Sequence, residues 1–190
     1  MPRKPSYDRD ALIAQAQDIF WRQGWAGTSL KDLERALNLK PGSFYAAFGS
    51  KDALYALTLE RYAQDGVARL MAMADEMGPL RALKAQPHVV IDAGAVPTHA
   101  CMLAKTYAEL QAKGHELADK ASGHMVEMKE CFATLFRRSQ QAGEIGPDHD
   151  PDRLAARYQS DILGLRLSAE RNDVNAAEIA ADIAADLDRL

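Results

Sequence analysis

Residues 24–59 read GWAGTSLKDLERALNLKPGSFYAAFGSKDALYALTL, and the punctuation in this stretch sets several helix boundaries in close succession. Thr28 and Ser29 are good N-caps, and Ser29-x-x-Asp32 approximates a capping box, in which side chain and backbone satisfy each other's orphan groups. Leu30, Leu33 and Leu37 then recur on one helical face. The helix ends near Asn38, a residue type that tolerates the left-handed conformation. Pro41 falls at the first position of a short further helix, where its missing N–H costs nothing. Phe44, Tyr45 and Phe48 follow, and Gly49 ends the element. Ser50 caps a long helix reading from Asp52 to Met77, with Leu54, Leu57, Tyr62 and Leu70 along it. Upstream, Leu12, Ala16, Ile19 and Phe20 mark a helix over residues 11–23 that Gly24 stops. The turn Asn38-Leu39-Lys40 is short enough to fix one helix across its predecessor while leaving its outer face free. That is helix-turn-helix geometry, suited to a major-groove reader, although small helical packing domains share it.

The remainder of the chain also reads as helix. Gly78-Pro79 breaks the long helix, and Pro87, Gly94 and Pro97 leave the stretch to Ala100 ambiguous. Helices are expected over Cys101–Lys113, Glu116–Gln141 and from Pro151, capped by Asp150, to about Arg171. Asn175-x-x-Glu178 opens a last one that runs to the C-terminus. β-Branched runs are almost absent, so the expected fold is all-α. The expected layout is an N-terminal three-helix helix-turn-helix unit over residues 1–51 followed by a larger helical part over 52–190. Residues 52–77 form the connecting helix.

The chain has 190 residues, 47% of them hydrophobic, enough for a real core. Its apolar runs are too short to span a bilayer, and Met1–Asp10 lacks the apolar stretch of a secretory signal. Two cysteines, Cys101 and Cys131, make neither a disulfide framework nor a zinc ribbon, so a cytoplasmic location is expected. Residues 1–61 carry nine Lys/Arg against seven Asp/Glu, whereas the whole chain is at −4. A mildly basic front thus precedes an acidic remainder.

Gly24, Thr28-Ser29, Leu33, Ala36, Gly42-Ser43-Phe44-Tyr45, Phe48, and Lys51 with Leu54 behind it together resemble the DNA-binding domain of the TetR/AcrR family of bacterial transcriptional regulators. The resemblance implies a dimer of two-domain subunits that binds an operator and responds to a small-molecule effector. Asn38 stands where family members often have Gly, and Ala46 and Ala47 stand where relatives often carry large or polar side chains. Fewer hydrogen bonds to base edges should follow, although an alanine can still contact thymine methyls.

Lys40, Pro41, Gly42 and Ser43 sit at the start of the proposed recognition helix, where free amides favour phosphate. Carried over from the family, Ser43 and Ala47 should face base edges, Tyr45 and Lys51 should hold phosphate, and Thr28 and Ser29 should anchor the preceding helix. Lys31 is placed to reach DNA, and Arg3 and Lys4 to form a minor-groove arm. Phe44, Phe48, Trp21 and Trp25 read as packing residues.

Methionines and aromatics in the centre of the chain suit an adaptable apolar pocket, with Tyr62, Met102, Tyr107, Phe132, Phe136 and Tyr158 as candidate lining. An ordinary core explains the same residues. Leu154, Tyr158, Ile162 and Leu165 on one helix and Ile179, Ile183 and Leu187 on the last form stripes expected to pair two subunits as a four-helix interface. Cys101 at a helix start is a candidate sensor thiol, with a buried structural cysteine as the plain alternative; Cys131 reads as core. His99 and Cys101 alone make no metal site, no cofactor is expected, and no hydrolase, P-loop or dinucleotide-binding motif is present. The expectation is a non-enzymatic, dimeric regulator, most often a repressor, released from a palindromic operator by a ligand that shifts the connecting helix. Two alternatives stay open: a redox- or electrophile-sensing regulator acting through Cys101, and a helical interaction module without DNA binding.

Overall fold

The computed structural model describes residues 8–92 and 98–190. Arg3 and Lys4, the expected arm, and the breakers Gly94 and Pro97 lie outside the described residues. Nine α-helices and no strand are present among the described residues. They are α1 (Arg9–Gln23), α2 (Leu30–Ala36), α3 (Pro41–Phe48), α4 (Lys51–Met77), α5 (Pro79–Ile91), α6 (Met102–Leu110), α7 (Glu116–Gln141), α8 (Pro151–Ser168) and α9 (Ala176–Asp186). Short 3-10 turns follow α6 and α9. α8 stops at Ser168, short of the expected Arg171, where the amides of Glu170 and Arg171 donate three residues back to Leu167 and Ser168 and tighten the chain into a turn.

Local chemistry accounts for the front of the chain. Ser29 and Asp32 complete the capping box in both directions, and the Ser29 hydrogen bonds hold the Asp32 carboxyl below its usual range. Asn38 adopts φ 51°, and the amides of Asn38 and Leu39 donate to the carbonyls of Arg35 and Glu34. This is the Schellman closure usually built on Gly, so the asparagine in the turn does the same work.

The ambiguous stretch after Gly78 resolves into α5, which runs straight through Pro87. A proline inside a helix removes the hydrogen bond to the carbonyl four residues back, here Leu83. That carbonyl instead accepts from the Tyr158 hydroxyl of α8 at 2.6 Å, in a buried position. The tertiary contact repairs what the sequence breaks. Tyr158→Phe is expected to strand the Leu83 carbonyl and cost about 1–3 kcal/mol in a urea titration; an unchanged midpoint would refute this.

Two apolar clusters fill the molecule. One joins α1, α2 and α3 to the first part of α4, to α6 and to the start of α7. The other joins the second part of α4 to α5, the second half of α7, α8 and α9. The core beneath the N-terminal helices is therefore shared with α6 and α7. Phe20 of α1 meets Tyr55 of α4 edge-on at 4.5 Å, and the Tyr55 hydroxyl lies 2.8 Å from Thr106 Oγ1 on α6. Burial pushes the Tyr55 phenol up to about 12, against the opposing Thr106 hydrogen bond.

Candidate functional site

The helix-turn-helix surface is built on α3. Phe44 and Phe48 are buried and anchor the helix, 5.6 Å apart edge-on. Lys40, Pro41, Gly42, Tyr45 and Ala46 face outward, Tyr45 with 53% of its surface exposed. Lys40 makes no side-chain cap and Pro41 has no N–H, while the Ser43 and Phe44 amides donate to the Lys40 carbonyl at 2.9 Å, so the Gly42 amide remains beside an exposed cation, a setting that favours phosphate. Ser43 and Ala47 are half-buried, and Ala47 packs against the core cluster. Ala46 rather than Ala47 is thus the more open of the two alanines.

The residues expected to anchor DNA from the α2 side divide. Lys31 is exposed. Ser29 is exposed but serves the capping box. Thr28 is buried, with its hydroxyl donating to the Gly24 carbonyl at 2.8 Å. Lys51 turns inward: its ammonium donates to the carbonyls of Trp25 at 2.9 Å and Thr28 at 3.1 Å, and lies 3.9 Å from the Trp25 ring centroid. Desolvation lowers its pKa. In the free protein this lysine ties the start of α4 to the α1–α2 loop instead of pointing at solvent.

That loop is also bolted to α6. The Glu109 carboxylate accepts from the Trp25 amide at 3.0 Å and the Ala26 amide at 2.7 Å. Gly24, at φ 74°, allows the approach, because a Cβ there would come within 2.8 Å of the same carboxylate. Lys105 donates to the Trp21 carbonyl at 2.6 Å, at the end of α1 where the helix dipole favours a cation. Trp21 Nε1 in turn donates to the Ala100 carbonyl at 2.7 Å.

A cavity of about 70 Å³ opens between α4, α5, α7 and α8 beside the start of α6. Tyr62 and Gly66 come from α4, Gln86 and Val90 from α5, Cys101 and Leu103 from the α6 end. Met125, Met128 and Phe132 of α7 and Gln159, Ile162 and Arg166 of α8 close it. Of the six aromatic and methionine residues expected to line a pocket, Tyr62 and Phe132 do so. Met102 is buried in the first cluster, and Tyr107 is exposed. Phe136 and Tyr158 lie deeper, Tyr158 edge-on to Phe132 at 4.9 Å and bonded to Leu83. The pocket was expected from methionine and aromatic content in the centre of the chain, a signal that passes over the polar side chains of Gln86, Gln159 and Arg166.

Arg166 links this cavity to the DNA-facing unit. Its Nε donates to the His99 carbonyl at 2.7 Å, and its guanidinium carbon lies 5.7 Å from the Trp21 ring centroid. Glu170 holds the same segment, accepting from Thr98 Oγ1 and, at 2.9 Å, from the Ala100 amide. The Thr98 hydrogen bond is the main cause of its lowered pKa. Burial, and next the neighbouring Cys101 sulfur, push the Tyr62 phenol far above its ordinary range. Cys131 is core, its thiol pushed up by burial. Among the described residues no three His, Cys, Asp or Glu side chains converge on a metal position, and no helix is long and apolar enough to cross a membrane.

The stripes expected to pair subunits are instead largely internal. Tyr158, Ile162, Leu165 and Leu187 are buried within the subunit, and Leu154, Ile179 and Ile183 pack against the same cluster. They hold α8 and α9 on α5 and α7. The faces left open on these two helices are the opposite ones: Ala156, Ser160, Gly164 and Leu167 on α8, Ala177, Ala181 and Ala185 on α9. Leu167 is 62% exposed.

The helix-turn-helix unit is carried on a larger helical body, an arrangement suited to a DNA-binding transcriptional regulator. Residues 12–57 match the family described as bacterial regulatory proteins, tetR family, and residues 66–182 match the tetracyclin repressor-like C-terminal domain. The chain belongs to the TetR family. It is 27% identical to the transcriptional repressor ComR of Escherichia coli K12, over 88% of this chain and 81% of ComR. It is 25% identical to the repressor DhaR of Mycobacterium sp. strain GP1, over 86% of this chain and 84% of DhaR. Among solved structures, a TetR-family regulator of Cytophaga hutchinsonii superposes with a TM-score of 0.81 at 25% identity, covering 95% of this chain and 91% of that one. A triple cysteine variant of the TetR-family regulator CifR, bound to a 26-base-pair operator, superposes with a TM-score of 0.80 at 26% identity and 97% coverage of both chains. These relatives are regulators, not enzymes.

Proposed function

We propose that the protein is a cytoplasmic, homodimeric repressor that a small molecule entering the α4–α8 cavity releases from a palindromic operator. Residues 1–51 bind DNA, and 52–190 bind the effector and the second subunit. The carrying observation is that Arg166 lines the cavity and also holds the His99 carbonyl, next to Ala100, which accepts from Trp21 of α1. Motion at the cavity therefore has a short path to the DNA unit through His99 and Ala100, just ahead of α6, in addition to the connecting helix α4. The effector needs to favour the DNA-incompetent state by about 1–3 kcal/mol, the usual scale of allosteric coupling. The open small-residue faces of α8 and α9 supply the dimer contact, because small side chains let helices from two subunits approach closely. Two recognition helices about one DNA turn apart then read a palindrome.

Lys40, Gly42 and Tyr45 hold phosphate on this reading, Pro41 sets the start of the helix that carries them, and Ser43 and the two alanines lie nearest the base edges. Lys31 and Ser29 flank the backbone from α2, while Thr28 and Lys51 position the loop between α1 and α2. Selection from random duplex DNA, followed by titration of the enriched site over a range of salt, tests it. The expected result is a palindrome with a steep salt slope. Lys40→Ala should weaken binding uniformly across sequences and reduce that slope by about two, one phosphate contact from each subunit of the dimer. Absence of any enriched sequence would favour the helical interaction module.

A second reading draws on the placement of Cys101. Its side chain lines the cavity beside the Tyr62 hydroxyl, where an electrophile entering as effector meets a thiol. Cys101→Ser should then bind operator normally yet resist release by N-ethylmaleimide. Release as in the parent protein would end this reading.

A further inference from the structure

The lining of the cavity has a charge pattern unlike the rest of the chain. The chain as a whole has more acids than bases, 27 against 23. The cavity is nevertheless lined by two arginines, Arg69 and Arg166, and by no aspartate, glutamate or histidine. Arg166 commits only its Nε, to a neutral carbonyl. Among the described residues no carboxylate comes within ion-pair range of it. Glu170, four residues further on, turns its carboxylate to Thr98 and Ala100 instead. A guanidinium at a cavity wall with its terminal N–H groups unclaimed by an acid is a natural partner for a carboxylate, which it grips with paired, charge-assisted hydrogen bonds.

The second observation is independent of charge. Gln86, on α5, is only 7% exposed, yet its Oε1 has no hydrogen-bond partner. Buried acceptors are nearly always satisfied, and leaving one unmade is costly. Gln86 lines the cavity; its Oε1 is itself covered, and rotation of the amide about the last side-chain bond presents that acceptor to a donor in the cavity. The other walls are apolar: Val90, Leu103, Met128, Phe132 and Ile162. The volume of about 70 Å³ is roughly half that of an engineered apolar cavity, about 150 Å³, that holds benzene. The occupant is therefore small, with the flexible Met125 and Met128 side chains able to yield a little more room.

We propose that the effector is a small aliphatic acid that also bears a hydroxyl or amide N–H, its carboxylate held by Arg166, its donor by Gln86 and its carbon skeleton by the apolar walls. This assignment rests on the ligand-release reading above and specifies the chemistry of its ligand. It also gives the ligand a means of acting. A carboxylate that draws the Arg166 guanidinium toward itself pulls it from the His99 carbonyl and from the Trp21 ring, loosening the segment on which α1 is pinned.

The test is calorimetric titration of the full-length protein with three matched probes: glycolate, which has both groups, acetate, which lacks the donor, and glycolamide, which lacks the charge. The expected order places glycolate tightest, with each of the others weaker by about tenfold or more. Gln86→Leu should bring glycolate down to acetate, and Gln86→Glu, which adds an anion of nearly the same shape, should turn both acids away. Arg166→Gln should erase the preference for acid over amide. If that variant does not fold, Arg166→Lys keeps the charge without the planar fork and should bind glycolate more weakly. Binding of none of the three probes at millimolar concentration overturns the proposal, as does a preference that survives in the variants. Operator binding is titrated separately, without probe. Protein that binds operator but no acid refutes the ligand class alone. Protein that binds the acids through Gln86 and Arg166 but enriches no operator refutes the regulator reading while the site stands.

Discussion

Leu167→Glu is expected to leave the protein monomeric and to lower its operator affinity by about 10²–10⁴, the gain that joining two binding modules typically brings. Leu167 projects from the face of α8 that also carries Ala156, Ser160 and Gly164, away from the subunit's own core. In a two-fold dimer the same patch meets itself, so one substitution sets two carboxylates against each other across the interface. The rest of the fold should be unaffected, because this side chain belongs to neither apolar cluster. Light scattering should report the mass of one subunit, and far-ultraviolet circular dichroism should be unchanged. A variant that stays dimeric would show that the second subunit docks elsewhere. Charging Ile162 or Leu165 would not make the same test, since those side chains are buried inside the subunit and their loss would damage the fold itself.

Phe44→Ala should cost about 3–5 kcal/mol of stability, the usual range for deleting a buried aromatic ring. The Phe44 side chain is fully buried and meets Phe48 and Tyr45 edge-on. It is the peg that seats α3 against the core, so its removal leaves the outward groups of that helix without a fixed platform. Calorimetry should show the loss in a single transition that includes the C-terminal helices. The reason is that the cluster around Phe44 continues through α4 into Met102, Leu103, Leu110 and Leu117. An early, separate melt of the first three helices would contradict that continuity.

The N-terminal unit was legible residue by residue because its determinants are local. Ser29 with Asp32, Asn38 in the left-handed turn, Pro41 at a first helical position and Gly49 at a last one each act within one turn of helix. The resemblance to TetR/AcrR regulators rests on the same stretch. The cavity was only partly legible. Tyr62, Phe132 and Cys101 came from apolar spacing and a helix start, whereas Gln86 and Arg166 matter through the absence of a partner, which appears only once every neighbour is in place. Lys51 shows the same limit from the other side. Its motif placed it on phosphate, and the fold gives its ammonium two backbone carbonyls and an indole face.

The sequence by itself determined that the chain is helical, where most of its helices start and stop, and that residues 24–59 form a helix-turn-helix unit, since capping, turn chemistry and apolar period are properties of neighbouring residues; that this unit reads DNA is what its resemblance to TetR/AcrR regulators implies. Only the tertiary structure decided which apolar face of α8 and α9 is internal, because periodicity reveals that a face is apolar but not what covers it. The same holds for α5. Pro87 argues locally against a helix there, and the helix persists because Tyr158, distant in sequence, donates to the carbonyl the proline leaves unbonded.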